Sequence, residues 1–324
     1  MFYPRIETID TSSFITSKTR DARLWFVNNP TLEQAILGRL ARWADKRTVS
    51  VHAFAIEGNH IHISALFPEA NRASFMRDFN SGVARDVIRH QHDYVGGPLL
   101  RTDGYSSEVI PTNADAMTQF FYIVLQPVQD GLVDDITDYP YYNCFEDAIK
   151  GVVKTYKVVK WKEYHDAIRY GNPHNYTIED FLHKHEFKFV RLPGFEDMNQ
   201  DEYEKMMRNE LKIRTQLALE NREVKSCLGA DRLKRVRPGS MPHSPKLSTP
   251  FQDRPRVSSK QSDVIESTMA WMDSIAFAFH EASRRWLAGD DSVEFPPGTY
   301  RPPRFNGPTT SEGMLAKLNR VVDP

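Results

Sequence analysis

The stretch Asn59-His60-Ile61-His62-Ile63-Ser64-Ala65-Leu66-Phe67 leaves the chain little freedom in how it folds. Side chains alternate along an extended strand, so Ile61, Ile63, Ala65 and Phe67 share one face while His60, His62 and Ser64 share the other. One face demands a core; the other sets two imidazoles side by side, where metal chemistry could use them or where they simply form a partly buried polar face. The run 49–56 is also rich in strand formers, and Glu57-Gly58-Asn59 between the two runs has turn composition. A hairpin over 49–67 is expected.

Two other His-x-His triplets show how little the bare pattern means. His90-Gln91-His92 ends a helix expected over 72–90, and His183-Lys184-His185 falls in a polar stretch that reads as helical. Positions i and i+2 on a helix do not face each other, so solvent-exposed histidine is the reading for both pairs.

Around the hairpin the periodicities order the first half of the chain. Residues 12–17 have strand composition, and Thr31-Leu32-Glu33-Gln34 reads as a capping box opening a helix to about residue 46. In the 72–90 helix Phe75, Phe79, Val83 and Val87 form a stripe four residues apart, and 105–110 supplies another strand. The order β-α-β-β-α-β is the split βαβ arrangement of a ferredoxin-like antiparallel sheet, an α+β fold. Both helices of that arrangement cover one sheet face, and His60 and His62 are expected on the other, free face. A further helix is expected from Thr112-Asn113 onward, with Tyr122 and Gln126 side by side at i and i+4. Spacing alone leaves Tyr122 open as a core aromatic with a wet hydroxyl and Gln126 as a helix-end amide. Pro127 is expected to distort the turn that carries Gln126.

Composition narrows the class. Only Cys144 and Cys227 occur, which argues against a disulfide framework, and no apolar run is long enough to span a bilayer, so a cytoplasmic protein is expected. The net charge of −1 gives no global attraction for nucleic acid. Residues 1–150 carry 14 Lys/Arg against 19 Asp/Glu, whereas 222–260 carry 10 against 3, interleaved with prolines. That segment reads either as a DNA contact or as a linker that is basic by accident. Residues 262–287 read as one long helix with Ile265, Met269, Met272, Ile275, Phe279 and Trp286 on a stripe, and 148–220 as a small helical subdomain.

Asn59-His60-Ile61-His62, then Phe121-Tyr122-Ile123-Val124-Leu125-Gln126-Pro127-Val128-Gln129-Asp130-Gly131-Leu132-Val133, then Asp138-Tyr139-Pro140-Tyr141-Tyr142, together resemble the REP-associated tyrosine transposases, a branch of the single-tyrosine HUH nucleases. The resemblance spans about residues 1–147. A weaker likeness runs through Gly229-Ala230 with the basic segment after it, and through 286–300. Gln126 stands where Asn is more usual, although related single-tyrosine transposases place a Gln there as a metal ligand. Gly58 replaces a proline, a change expected to be harmless; Gln129 and Asp130 replace a basic residue and an alanine, which is expected to weaken DNA contact.

The resemblance implies a catalytic domain over 1–147, a helical subdomain over 148–220, a basic DNA-contacting linker over 221–261 and a C-terminal helix and tail over 262–324. It also implies a transposase: a metal-dependent single-stranded DNA endonuclease and strand transferase acting on REP-like hairpins through a 5′-phosphotyrosine on Tyr122. His60, His62 and Gln126 would hold a divalent ion, Mg or Mn, with Zn a competitor. Arg232, Lys234, Arg235, Arg237, Arg254 and Arg256 would contact the hairpin. Such a protein would be nucleoid-associated, as a monomer or homodimer. Two alternatives share the pattern: a hairpin-binding protein that does not cut, and a replication initiator or relaxase.

Overall fold

The computed structural model of the chain describes residues 3–102, 104–171, 173–223, 226–242 and 256–304. Six elements follow the expected order: Ser12–Lys18 (β1), Pro30–Lys46 (α1), Ser50–Ile56 (β2), His60–Leu66 (β3), Arg72–His90 (α2) and Ser106–Ile110 (β4). They pair in the sheet order β2-β3-β1-β4, each neighbour antiparallel, which is the split βαβ topology. The fold class is α+β.

The apolar stripes read from the sequence meet on one sheet face. Phe54 of β2 meets Phe79 of α2 edge-on at 6.1 Å, and Phe67, just past β3, meets Phe75 at 5.6 Å. Ile36 and Leu40 of α1 are fully buried beside them. The start of α1 differs from expectation. Asn29, not Thr31, caps it by accepting from the Leu32 amide, with Pro30 in the first turn, where its missing N–H costs nothing. The Asn29 amide also donates to the His90 carbonyl, so a contact between α1 and the end of α2 decides which of two plausible caps is used.

A buried ion pair locks the two helices together. Arg39 of α1 donates twice to Asp86 of α2, at 2.8 and 2.9 Å, with both side chains almost wholly buried. Removing the carboxylate would strand a buried guanidinium, so Asp86→Ala is expected to destabilise the fold by roughly 3–5 kcal/mol, read from urea unfolding.

The opposite sheet face is not free. Asn113–Gln129 (α3) packs across β2, β3 and β4 there, and His62 is only 3% exposed. The helix also continues through Pro127 for most of a turn, because the proline falls near its end, where few backbone bonds remain to be lost.

The second half holds Phe145–Lys150 (α4), Lys154–Val159 (β5), Trp161–Tyr170 (α5), Leu182–Phe187 (β6), Gln200–Asn221 (α6), Ala230–Leu233 (α7), Arg256–Val257 (β7) and Ser262–Leu287 (α8). The 148–220 stretch, expected to be helical, also carries a two-stranded antiparallel ribbon, β5 with β6, lying against α1. His183 and His185 are therefore on a strand, opposite Val158 and Tyr156. Leu182-His183-Lys184-His185-Glu186-Phe187 has no β-branched residue, so only pairing with β5 makes it extended. Meanwhile β7 adds to the main sheet beside β4 and parallel to it, with the Ser258 amide donating to the Val109 carbonyl.

Residues 7–271 make one compact unit, which contains everything described above except the later part of α8. Residues 4–6 and the chain from 272 onward make a second. In that unit Trp286 donates through Nε1 to the Pro302 carbonyl, while the Arg304 guanidinium lies 3.4 Å from the ring centroid and donates through Nε to the Trp286 carbonyl. The later α8 stripe is structural in the way expected: Met272 and Phe279 are buried, and Phe279 meets Phe295 at 5.7 Å. Among the described residues no helix is long and apolar enough to cross a membrane.

Candidate active site

Strand register places the imidazoles. His62 sits opposite Thr16 on β1 and Ala55 on β2, two small partners that leave room above the ring for α3. Thr16 Oγ1 lies 3.0 Å from His62 Nδ1, a cross-strand contact that follows from the pairing. Nε2 of His62 is then the nitrogen left buried with no hydrogen-bond partner. Burial, followed by the charges of His60 and Lys18, holds this imidazole well below the usual histidine range, so it is a neutral ring with a lone pair to offer.

Asn59 does the equivalent for His60. Its Nδ2 donates to the Ala22 carbonyl at 3.0 Å, which fixes the amide's orientation and turns Oδ1 toward His60 Nδ1 at 2.8 Å. A carboxamide oxygen can only accept, so Nδ1 carries a proton. The turn ahead of it is close-packed: a Cβ on Gly58 would lie 2.8 Å from Leu24 Cδ2 and 3.1 Å from Val27 Cγ1, the ends of two side chains of the 24–27 segment.

The tyrosine comes from α3. Tyr122 is 37% exposed and meets Phe14 edge-on at 5.7 Å; Phe14 in turn stacks on His62 at 5.1 Å, and the rings of His62 and Tyr122 are 6.0 Å apart. Phe14 thus links His62 to Tyr122, and the His60 ring lies 4.5 Å from that of His62. Burial raises the Tyr122 pKa, and the charges of Asp130, Glu108 and Glu57 raise it further, against a hydrogen bond from Gln126.

Gln126, one turn on, is 6% exposed. Its Nε2 donates to Asp130 Oδ2 at 2.9 Å, leaving Oε1 buried without a partner. Asp130, expected only to weaken DNA contact, is thus the group that turns the amide oxygen away from itself. From the sequence Phe14 and Thr16 read only as part of a strand, Asn59 only as part of the motif, and Asp130 only as a weakened DNA contact. Thr16 follows from the β1–β3 register, and Asp130 is i+4 from Gln126, a relation hidden by the expectation that Pro127 distorts that turn.

A carboxyl that the sequence reading also passed over lies behind the site. Burial pushes Glu57 up to about 8, although the Tyr139 hydroxyl donates to it at 2.8 Å. The folded chain therefore keeps this proton to about pH 8, whereas an unfolded one releases it near 4.5. Its contribution is full below that lower value and is lost as pH rises through 8. About 2 kcal/mol of stability should disappear between pH 6 and pH 8, and Glu57→Gln should flatten that slope in urea titrations at the two pH values.

Of the predicted DNA-contacting residues, Arg232, Lys234, Arg235 and Arg237 are exposed on and just after α7. That segment is tied to loops of the main sheet's unit: Asn28 donates to the Leu233 and Val236 carbonyls, and Tyr141 to that of Leu233. Arg256 faces Glu108 across β4 and β7 at 3.8 Å. Arg254 lies outside the described residues.

Among the described residues no three His, Cys, Asp or Glu side chains gather as a metal site, so a third donor would have to be the Gln126 amide. The donor set fits a divalent ion on this chain's own terms. His62 Nε2 and Gln126 Oε1 are buried polar atoms with no hydrogen-bond partner, and the His60 ring lies 4.5 Å from that of His62.

No family model matches the chain, and no curated protein matches it. Among solved structures, that of a REP-associated tyrosine transposase bound to a REP hairpin is similar at 19% identity, over 47% of this chain and 87% of that one, with a TM-score of 0.40. At that level the chemistry has to be argued from the chain's own residues.

Proposed function

We propose that this chain is a metal-dependent single-stranded DNA endonuclease and strand transferase, acting on hairpin-forming DNA through a 5′-phosphotyrosine at Tyr122. One observation carries the reading. A part-exposed tyrosine shares an aromatic contact with a neutral, buried imidazole whose Nε2 is unpartnered, and an unpartnered amide oxygen follows one helical turn later. Most buried polar atoms find a partner, so two orphaned acceptors beside one tyrosine favour a bound ion.

His60, His62 and Gln126 would hold the ion, Mg or Mn, through three neutral donors that leave its charge undiminished. What such an ion supplies when bound is neutralisation of charge on the non-bridging oxygens of the scissile phosphate. The protein's own part is to position the nucleophile. Tyr122 is held edge-on against Phe14, and the residue is part-exposed. Its oxygen attacks phosphorus in line with the leaving 3′ oxygen; the new P–O bond forms as the P–O3′ bond breaks. The phenol gives up its proton, and the departing oxygen gains one to become a 3′-hydroxyl. Because the linkage conserves bond energy, another 3′-hydroxyl can reverse the step and join a new strand.

The acidic neighbours set a condition on this chemistry. With Asp130, Glu108 and Glu57 raising its pKa, Tyr122 is a poor nucleophile unless positive charge is brought beside it. The test is covalent trapping. The full chain is incubated with labelled hairpin oligonucleotides and Mn²⁺, and a denaturing gel is read for a retarded band. A band removed by EDTA, with the nucleotide mapped to Tyr122 by peptide mass spectrometry, supports the reading. Tight hairpin binding with no band in any metal would leave a DNA-binding protein that does not cut.

A further inference from the structure

The α1–α2 seam carries a concentration of guanidinium groups that the site at Tyr122 does not use. Arg39 and Arg42 are three apart on α1, Arg85 and Arg89 are four apart on α2, so each pair shares a helix face, and Asp86 joins the two faces by pairing with Arg39 and Arg89. The one buried carboxylate among them, Asp86, is already committed, doubly to Arg39 and at 3.3 Å to Arg89. Glu163 faces Arg42 from α5, but it pairs with Lys160 at 2.9 Å. Among the described residues no carboxylate lies within ion-pair distance of Arg42 or Arg85, and Arg42 Nε is buried with no partner.

Like charges gathered without counter-charge cost folding energy, and a buried guanidinium nitrogen left unbonded costs more. The first cost is relieved by an anion that brings oxygens to the seam. The surroundings extend the patch. Arg89 lies 4.5 Å over the Trp161 ring, which stacks on His165 at 5.8 Å; Arg42 and Lys46 flank Trp43; and His185 of the ribbon sits beside both of those cations. Guanidinium forks interleaved with aromatic faces match the phosphates of a nucleic-acid backbone.

We infer that this seam, with Arg42 and Arg85 at its centre, binds the phosphate backbone of DNA. The inference rests on the proposed reading of the Tyr122 site and adds to it. Because α1 and α2 cover one face of the sheet and α3 the other, the DNA held here is a segment other than the strand at Tyr122. A strand transferase with a single nucleophile has a use for that second segment.

The experiment uses the full chain carrying Arg42→Gln and Arg85→Gln together, with Arg85→Glu alone as a second variant at an exposed position. Fluorescence anisotropy with a labelled hairpin duplex is measured from 50 to 200 mM salt, alongside adduct formation on a short unpaired oligonucleotide. Loss of two phosphate contacts should weaken duplex binding on the order of tenfold or more and make the log–log salt slope shallower by roughly 2, with adduct formation unchanged. Arg85→Glu should also weaken the duplex, with an unchanged thermal melt. Wild-type affinity and slope in both variants would overturn the inference while leaving the tyrosine chemistry standing. If the unmodified chain forms no adduct and binds no hairpin, the reading of the site fails first and the inference falls with it. Equal weakening by 5 mM inorganic phosphate and by 5 mM chloride would also count against it, because a built phosphate site prefers the oxyanion.

Discussion

Tyr122→Phe is expected to leave no covalent adduct on any DNA substrate while hairpin affinity stays within about twofold. The substitution deletes one oxygen. The ring keeps its edge contact with Phe14, and the hydroxyl it removes is not among the buried groups that hold α3 to the sheet. Stability should therefore change by less than about 1 kcal/mol, as for a partly exposed position outside any buried network. Loss of a nucleophile is of another order, typically 10⁴-fold or more in the chemical step, which on a gel is indistinguishable from none. A pH series sharpens the result. Because burial and the Asp130, Glu108 and Glu57 charges raise the phenol pKa, adduct formation by the unmodified chain should still be climbing at the alkaline end of the accessible range. An adduct that survives Tyr122→Phe would assign the chemistry to another residue.

The second large effect is expected at His62. Its imidazole is neutral, its Nδ1 is engaged by Thr16, and its Nε2 is the buried atom with nothing to bond. His62→Ala should lower Mn²⁺ affinity more than 100-fold in calorimetric titration, with adduct formation lost in parallel. Thr16→Val keeps the imidazole and removes only its partner, so a smaller loss of about 10–100-fold is expected, the size usual for a group that orients a ligand. The pair separates ligation from packing. If His62→Ala lowers thermal stability but leaves Mn²⁺ affinity unchanged, the histidine is a core residue and the metal reading is wrong.

Much of this was legible because β-strand alternation is rigid. Once Ile61, Ile63 and Ala65 are given to the core, His60 and His62 have nowhere else to point. The i and i+4 spacing of Tyr122 and Gln126 was equally safe on a helix. What escaped was decided by contacts distant in sequence. Asn29 rather than Thr31 caps α1 because His90 lies beside it. Leu182 to Phe187 is a strand because β5 pairs with it, against its own composition. Pro127 stays inside α3, and only with that turn intact does Asp130 come within reach of Gln126. Glu57 looked like a turn residue, and its burial depends on Tyr139, 82 positions away.

The short strand β7 has a consequence for how the chain may be shortened. It supplies the outer neighbour of β4, and Ser258 next to it donates both to the Val109 carbonyl and, through its hydroxyl, to Gln119 on α3. A fragment trimmed to the 1–147 half would carry the histidines, the tyrosine and the glutamine, yet it would present β4 with a row of unclaimed amides and carbonyls. Such a margin pairs readily with its like in a second molecule. The smallest piece that carries the candidate site is therefore expected to self-associate more readily than the chain that keeps β7, whose two residues act as a selvedge over the middle of β4.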